Sequence, residues 1–202
     1  MLLEAKKVSF RYYKDVWLFQ DVDFQLQSGE VVGLRGPSGC GKTTFARILS
    51  GYEKPHTGLV SIDHEPVQKK GYQPVQLIFQ HPEKAVNPKW KMKSILEEGG
   101  QINPDLLELL GIQREWLNRW PNELSGGELQ RFCVARALND ETKFIIADEM
   151  TTMLDAITQA QIWSAVLEIV KQKEIGLLVI SHEQALIERL CNRVIDFNHD
   201  NI

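Results

Sequence analysis

Val31-Val32-Gly33-Leu34-Arg35-Gly36-Pro37-Ser38-Gly39-Cys40-Gly41-Lys42-Thr43-Thr44 is the stretch on which the fold turns. A short apolar run, a glycine-rich loop and then a segment free of Gly and Pro predict a buried strand, a tight loop and a helix in immediate succession. The helix is expected from about Lys42 to Ser50, with Gly51 as its C-cap. Gly36 to Thr43 fits the spacing G-x-x-x-x-G-K-[ST]. The glycines let consecutive backbone N–H groups converge on phosphate oxygens, and the helix N-terminus adds its positive dipole end. Lys42 is then expected to reach the β- and γ-phosphates of a bound nucleotide, and the Thr43 hydroxyl to ligate Mg²⁺. Gly36, Pro37, Ser38, Gly39, Cys40, Gly41 and Thr44 complete the expected phosphate cradle, in which the Cys40 thiol is a point of oxidation sensitivity.

Upstream of this stretch, Val8, Phe10 and Tyr12 alternate, and Val22, Phe24 and Leu26 repeat the pattern. Both predict half-buried antiparallel strands. Leu59–Ile62 and the segment near Val67 predict a short hairpin. Downstream, Gln76–Phe79 (ending at Gln80), Phe144–Ala147, Leu177–Ile180 and Val194–Phe197 predict further strands. Residues 81–123 change character: Pro82, Pro88, Pro104 and Pro121 punctuate short helices such as 104–110, which Gly111 ends. Ser125 is an N-cap for a helix to about Asn139. Asp155 caps a longer helix with Ile162, Trp163, Val166, Leu167 and Val170 on one face. Buried strands alternating with helices specify an α/β fold with a largely parallel sheet, an N-terminal antiparallel β part and an inserted small helical lobe.

Composition sets the outer limits. In 202 residues, 43% are hydrophobic and 25% charged, a balance that supports a packed core. Lys and Arg number 23 against 27 Asp and Glu, a net charge of −4, so no global basic field exists and no nucleic-acid partner is expected. No apolar run approaches the ~20 residues of a spanning helix. MLLEAKKVSF meets charge too early for a signal peptide. Cys40, Cys133 and Cys191 are scattered and odd in number, which argues for a reducing compartment and against a disulfide framework.

Asp148 and Glu149 stand where a buried strand ends, the edge at which open α/β sheets bind ligands. Asp148 suits Mg²⁺, and Glu149 suits orienting and polarising an attacking water. His182 follows another buried strand in the same way, where a neutral imidazole suits a hydrogen bond to the γ-phosphate. His56, His64, His81 and His199 are expected at the surface. Leu124-Ser125-Gly126-Gly127-Glu128 opens a helix with a second anion-receptive N-terminus.

The phosphate loop, the strand ending in Gln80, LSGGE, FIIADE and the histidine of VISH occur in an order and spacing that resemble the ABC-type ATPases over nearly the whole chain. The resemblance implies a P-loop NTPase, RecA-like core. It also implies that two subunits close head to tail around ATP, so that Ser125, Gly126, Gly127 and Glu128 meet the ATP of the partner subunit. Tyr12, or Tyr13 in its place, stacks on adenine unless both are plain strand aromatics. Gln80 links the γ-phosphate and Mg²⁺ to the helical lobe, and Asp155 communicates across the dimer. Two departures stand out. Glu128 replaces the usual Gln, and Met150 and Met153 fall in a segment that usually reads Pro-Thr-Ser-Ala-Leu-Asp.

The segment QHPEKAVNPKWKMKSILEE, with Asn87-Pro88 and Ile95–Glu98, resembles peptide and nickel importer ATPases. The C-terminal extension common in that group is expected to be missing. One ABC ATPase domain over 1–202 is expected, with 1–80 and 140–202 as nucleotide-binding core and about 81–139 as helical lobe. The resemblance implies a cytoplasmic subunit, peripheral on the inner face of the cell membrane. Its partners would be a second ATPase subunit, identical or different, permease subunits and, indirectly, an extracytoplasmic solute-binding protein. The substrate would be a peptide, nickel or a metal chelate. The alternative is a soluble ABC-type ATPase acting in assembly or repair. Trp90, Trp116 and Trp120 either line a groove for a permease helix or fill the core of the helical lobe.

Overall fold

The computed structural model describes residues 1–67 and 72–197; His199 lies outside them. The chain opens with β1 (Leu2–Phe10) and β2 (Phe19–Gln27), then runs through β3 (Val31–Arg35), α1 (Lys42–Leu49), β4 (Thr57–Ile62), β5 (Glu65–Pro66) and β6 (Val75–Ile78). Helices α2 (Met92–Glu98), α3 (Pro104–Leu109) and α4 (Gly126–Ala137) follow. The chain then alternates β7 (Phe144–Asp148), α5 (Ala156–Gln172), β8 (Gly176–Ile180), α6 (Gln184–Leu190) and β9 (Arg193–Asp196).

Two sheets form, in the orders β2-β1-β4-β5 and β6-β7-β8-β3-β9. The first is antiparallel throughout and the second parallel throughout. The parallel strands divide their side chains between two cores, as a period of two requires. Val32, Leu34, Phe144, Ile146, Leu178 and Ile180 face the antiparallel sheet and Phe45 of α1. Val31, Ile145, Ala147, Leu177 and Val179 face α4, α5 and the helical lobe. Residues apolar at every position, such as Phe144–Ala147, therefore make a strand covered on both faces.

Two local expectations shift. Tyr12 does not continue the Val8/Phe10 alternation; β1 ends at Phe10, and Tyr12 stands 58% exposed beyond it. Nor is β1 half-buried. Register shifts near Lys7, which adopts φ 49°, bend the strand so that most of its residues are covered. The hairpin between β4 and β5 turns through Asp63 and His64, both at positive φ (48° and 70°), the signature of a type I′ turn. Trp116 packs against the core, whereas Trp90 and Trp120 are exposed.

Candidate active site

Strand register builds the site. Leu34 of β3 and Asp148 of β7 both pair with Ile180 of β8, so three neighbouring strands end at one level. Gly36, Glu149 and His182 therefore emerge side by side along the carboxyl edge of the sheet, where the strand order also places β3 between strands from later in the chain.

The loop after β3 is shaped by close contacts that only glycine satisfies. A Cβ on Gly36 would lie 2.4 Å from the Phe197 carbonyl oxygen, and Gly41 caps α1 at φ 106° against the Phe19 ring. Lys42 is buried and folds back over the loop, donating to the carbonyls of Gly36 (2.8 Å) and Pro37 (2.9 Å), with Cys40 Sγ 3.8 Å away. Thr43 is exposed, and its side chain lies near enough to Asp148 to act on the carboxyl. Burial pushes the Asp148 carboxyl above the usual carboxylate range and Glu149 adds to this, while Thr43, Arg47 and Lys42 pull the other way. Its Oδ1 is buried with no hydrogen-bond partner. A threonine hydroxyl beside an unsatisfied carboxylate oxygen is a donor set suited to a hard divalent cation that takes its remaining ligands from water or phosphate.

Glu149 sits in the left-handed region (φ 50°), unusual for a non-glycine residue and concentrated at functional sites. Its N–H donates to the Ile180 carbonyl (3.0 Å), and its Oε1 lies 2.7 Å from His182 Nε2. The two residues expected to share the γ-phosphate end of the site are thus in direct contact. Tyr12 reaches the same region: its hydroxyl is 2.8 Å from Thr44 Oγ1 and its ring meets Phe10 edge-on. Tyr13 is 79% exposed and makes no side-chain hydrogen bond among the described residues.

Ser125 and Glu128 form a reciprocal capping box. Ser125 Oγ accepts from the Glu128 N–H (3.2 Å), and Glu128 Oε2 accepts from the Ser125 N–H (2.7 Å). The departure from Gln at position 128 therefore places a carboxylate on the helix N-terminus. A cleft of about 580 Å³ opens here, lined by Gln80, Trp116, Ser125, Gly127, Met153 and Asp155. Asp155 caps α5 through the N–H groups of Ile157 and Thr158, and the Thr158 bond leads in holding its carboxyl below the usual range. Met150 is buried and Met153 exposed.

The structure thus gathers Gly36–Thr44, Asp148, Glu149, His182 and Tyr12 along one edge. Ser125–Glu128 instead line a separate cleft, where Gly127 lies against its own chain's Leu154 and Thr158 while Gly126 faces open space, and among the described residues no hydrogen bond ties them to the phosphate loop. Sequence reasoning missed Thr151, whose buried hydroxyl accepts from Trp163 Nε1 and Gln159 Nε2 (both 3.0 Å) and so anchors the turn after Glu149 to α5. A threonine followed 12 residues later by an indole was the available signal. His56 and His64 lie at the surface, His81 is half-buried, and all three cysteines are free.

This fold and site define a class. The ABC transporter family profile matches residues 19–152, and the chain belongs to that family as an ATPase subunit that couples ATP hydrolysis to transport. Among individual relatives, it is 35% identical over 204 residues to the nickel import ATP-binding protein NikE of Escherichia coli (strain K12), spanning 92% of this chain and 76% of that one. It is 33% identical to the oligopeptide transport ATP-binding protein OppF of Streptococcus mutans serotype c, spanning 96% and 70%. The dimeric structure of MJ0796, a bacterial ABC transporter cassette, superposes with a TM-score of 0.85 at 24% identity, covering 99% of this chain and 96% of that one. Among the described residues no helix is long and apolar enough to cross a membrane.

Proposed function

We propose that this subunit powers an importer whose cargo is a peptide, nickel or a metal chelate. The segment after Gln80 carries this reading. Asn87 Oδ1 accepts from the Lys89 N–H (3.0 Å) and its carbonyl from the Trp90 N–H (3.1 Å), so Asn87-Pro88 forms the tight turn that launches α2. The relatives named for nickel import and oligopeptide transport support the same assignment.

Within the reading, ATP lies along the carboxyl edge of the sheet as one subunit's half of a shared site. Tyr12, held by Thr44, offers its ring to adenine. Lys42 exchanges its carbonyl partners for β- and γ-phosphate oxygens, and the phosphate loop supplies backbone donors. Thr43, Asp148 and Gln80 would hold Mg²⁺, a fit supported by the unsatisfied Asp148 oxygen; the ion would supply neutralisation of phosphate charge. Glu149 orients the attacking water, and His182 Nε2, which contacts Glu149 Oε1 at 2.7 Å in the nucleotide-free chain, exchanges that partner for a γ-phosphate oxygen. Catalysis is then positioning and preorganised charge. Ser125–Glu128 meet the ATP of a second ATPase subunit, identical or different, and Asp155 lies at that contact. Permease subunits at the inner face of the membrane and an extracytoplasmic binding protein complete the system.

The test is reconstitution with the permease subunits, the second ATPase and the binding protein in vesicles. ATP-dependent uptake of nickel, a nickel chelate or an oligopeptide is expected, with turnover well above that of the isolated chain. Full turnover by a tight nucleotide-independent homodimer, with no stimulation by membrane subunits, would move the assignment to a soluble assembly or repair ATPase.

A further inference from the structure

Gln130 lies on α4, in the turn after Ser125, and is 1% exposed. Its Nε2 donates to the Phe79 carbonyl at 3.3 Å, whereas its buried Oε1 has no partner. The amide orientation is fixed, because exchanging the two atoms would set Oε1 against another carbonyl oxygen. Three residues further along the same helix face, Cys133 Sγ lies 3.8 Å from the Pro82 carbonyl oxygen. Burial pushes that thiol up to about 11, so it remains a donor at neutral pH.

The two contacts bracket Gln80 and His81. Gln80 has no side-chain hydrogen bond among the described residues and shares the cleft with Ser125, Gly127 and Gln130. A buried acceptor without a donor calls for an explanation, and Gln80, whose side-chain amide makes no hydrogen bond among the described residues, lines the same cleft as Gln130.

We infer that Gln130, seconded by Cys133, is the positioning residue for Gln80: it grips the backbone on either side and leaves Oε1 as the seat for the Gln80 side-chain amide. The inference rests on the reading in which Gln80 serves the γ-phosphate. It adds a physical link from the Ser125 end of α4 to Gln80, roughly 7 Å along one rigid helix. A phosphate that engages Ser125–Gly127 thereby shifts the brace that sets Gln80 in the same subunit.

Gln130→Met keeps the volume and removes both polar atoms of the amide. Losing a bond that orients Gln80 is expected to lower kcat about tenfold with KM for ATP within about twofold. The backbone amides of residues 79–81, 83 and 84 should exchange hydrogen faster in the nucleotide-free chain, while the rest of the chain is unchanged. In a Gln80→Ala background, Gln130→Met should lower kcat no further. Cys133→Val should weaken the same segment and Cys133→Ser restore it, which keeps the test available if Gln130→Met does not fold. Unchanged exchange at 79–84, or losses that multiply in the double variant, would overturn the inference while leaving Gln80 in its role. Parent turnover in Gln80→Ala alone would overturn that role, and the inference with it.

Discussion

Asp148→Asn should stabilise the nucleotide-free protein while abolishing its response to Mg²⁺-ATP. The parent buries a carboxylate that is 5% exposed and leaves Oδ1 without a donor. Its folded pKa is raised above 3.8, chiefly by burial. Above that unfolded value the native state therefore holds a proton that the unfolded chain has released. Stability falls as pH rises through the folded pKa and stays lowered at neutral pH. Asn removes the charge and keeps an oxygen for the Thr43 hydroxyl. An unsatisfied buried acceptor costs about 1–3 kcal/mol, and attraction from Arg47 and Lys42 offsets part of it. A net gain of about 1–2 kcal/mol raises Tm by roughly 2–8 °C in a chain of this length. Thermal unfolding in chelator is the assay. The variant should melt higher at pH 7.5, and the difference should narrow on acidification toward the raised folded pKa. Saturating Mg²⁺-ATP should raise Tm for the parent alone and reverse the order. A variant that melts below the parent in chelator at pH 7.5, or a gap that widens on acidification, refutes the reasoning.

Lys42→Ala removes a charge-assisted contact worth about 1.5–3 kcal/mol, so nucleotide affinity should fall roughly 10- to 100-fold by equilibrium titration; unchanged affinity sinks the cradle assignment. Tyr12→Ala should weaken ATP binding by about 1–3 kcal/mol and Tyr12→Phe far less, since the ring is what stacks. The opposite pattern, with Tyr13→Ala the damaging change, assigns adenine to Tyr13. Thr151→Val leaves the Trp163 and Gln159 donors without their acceptor, which should cost about 1–3 kcal/mol and lower Tm by roughly 2–12 °C. An unchanged Tm means that this hydroxyl does not anchor the turn after Glu149.

The parallel core was legible because its strands are apolar at every position and its glycine loop has few alternative conformations. Ser125 and Asp155 cap the helices expected of them, since a side-chain oxygen before an apolar-periodic run has one local use. Tyr12 was misplaced because alternation continues in the sequence past the point where the ladder ends. The Lys7 bulge in β1 was invisible for a related reason: a left-handed lysine carries no compositional mark. Local pattern showed only that Glu149 and His182 each follow a buried strand. Their 2.7 Å contact depends on β7 pairing with β8, a nonlocal fact. Thr151 with Trp163 and Gln130 with Phe79 are likewise long-range pairs within or between elements whose periodicity marks them only as buried.

Glu149→Gln tests the central claim most directly, because it preserves shape and removes the charge held 2.7 Å from His182 at the end of β7. Purified parent and variant are compared for ATP binding and for turnover with Mg²⁺, alone and with the second ATPase subunit. The account predicts that the variant binds ATP as the parent does, accumulates ATP-bound dimers with its partner subunit, and loses at least about 100-fold in turnover, the scale of positioned general-base catalysis. Hydrolysis by Glu149→Gln at the parent rate would contradict it.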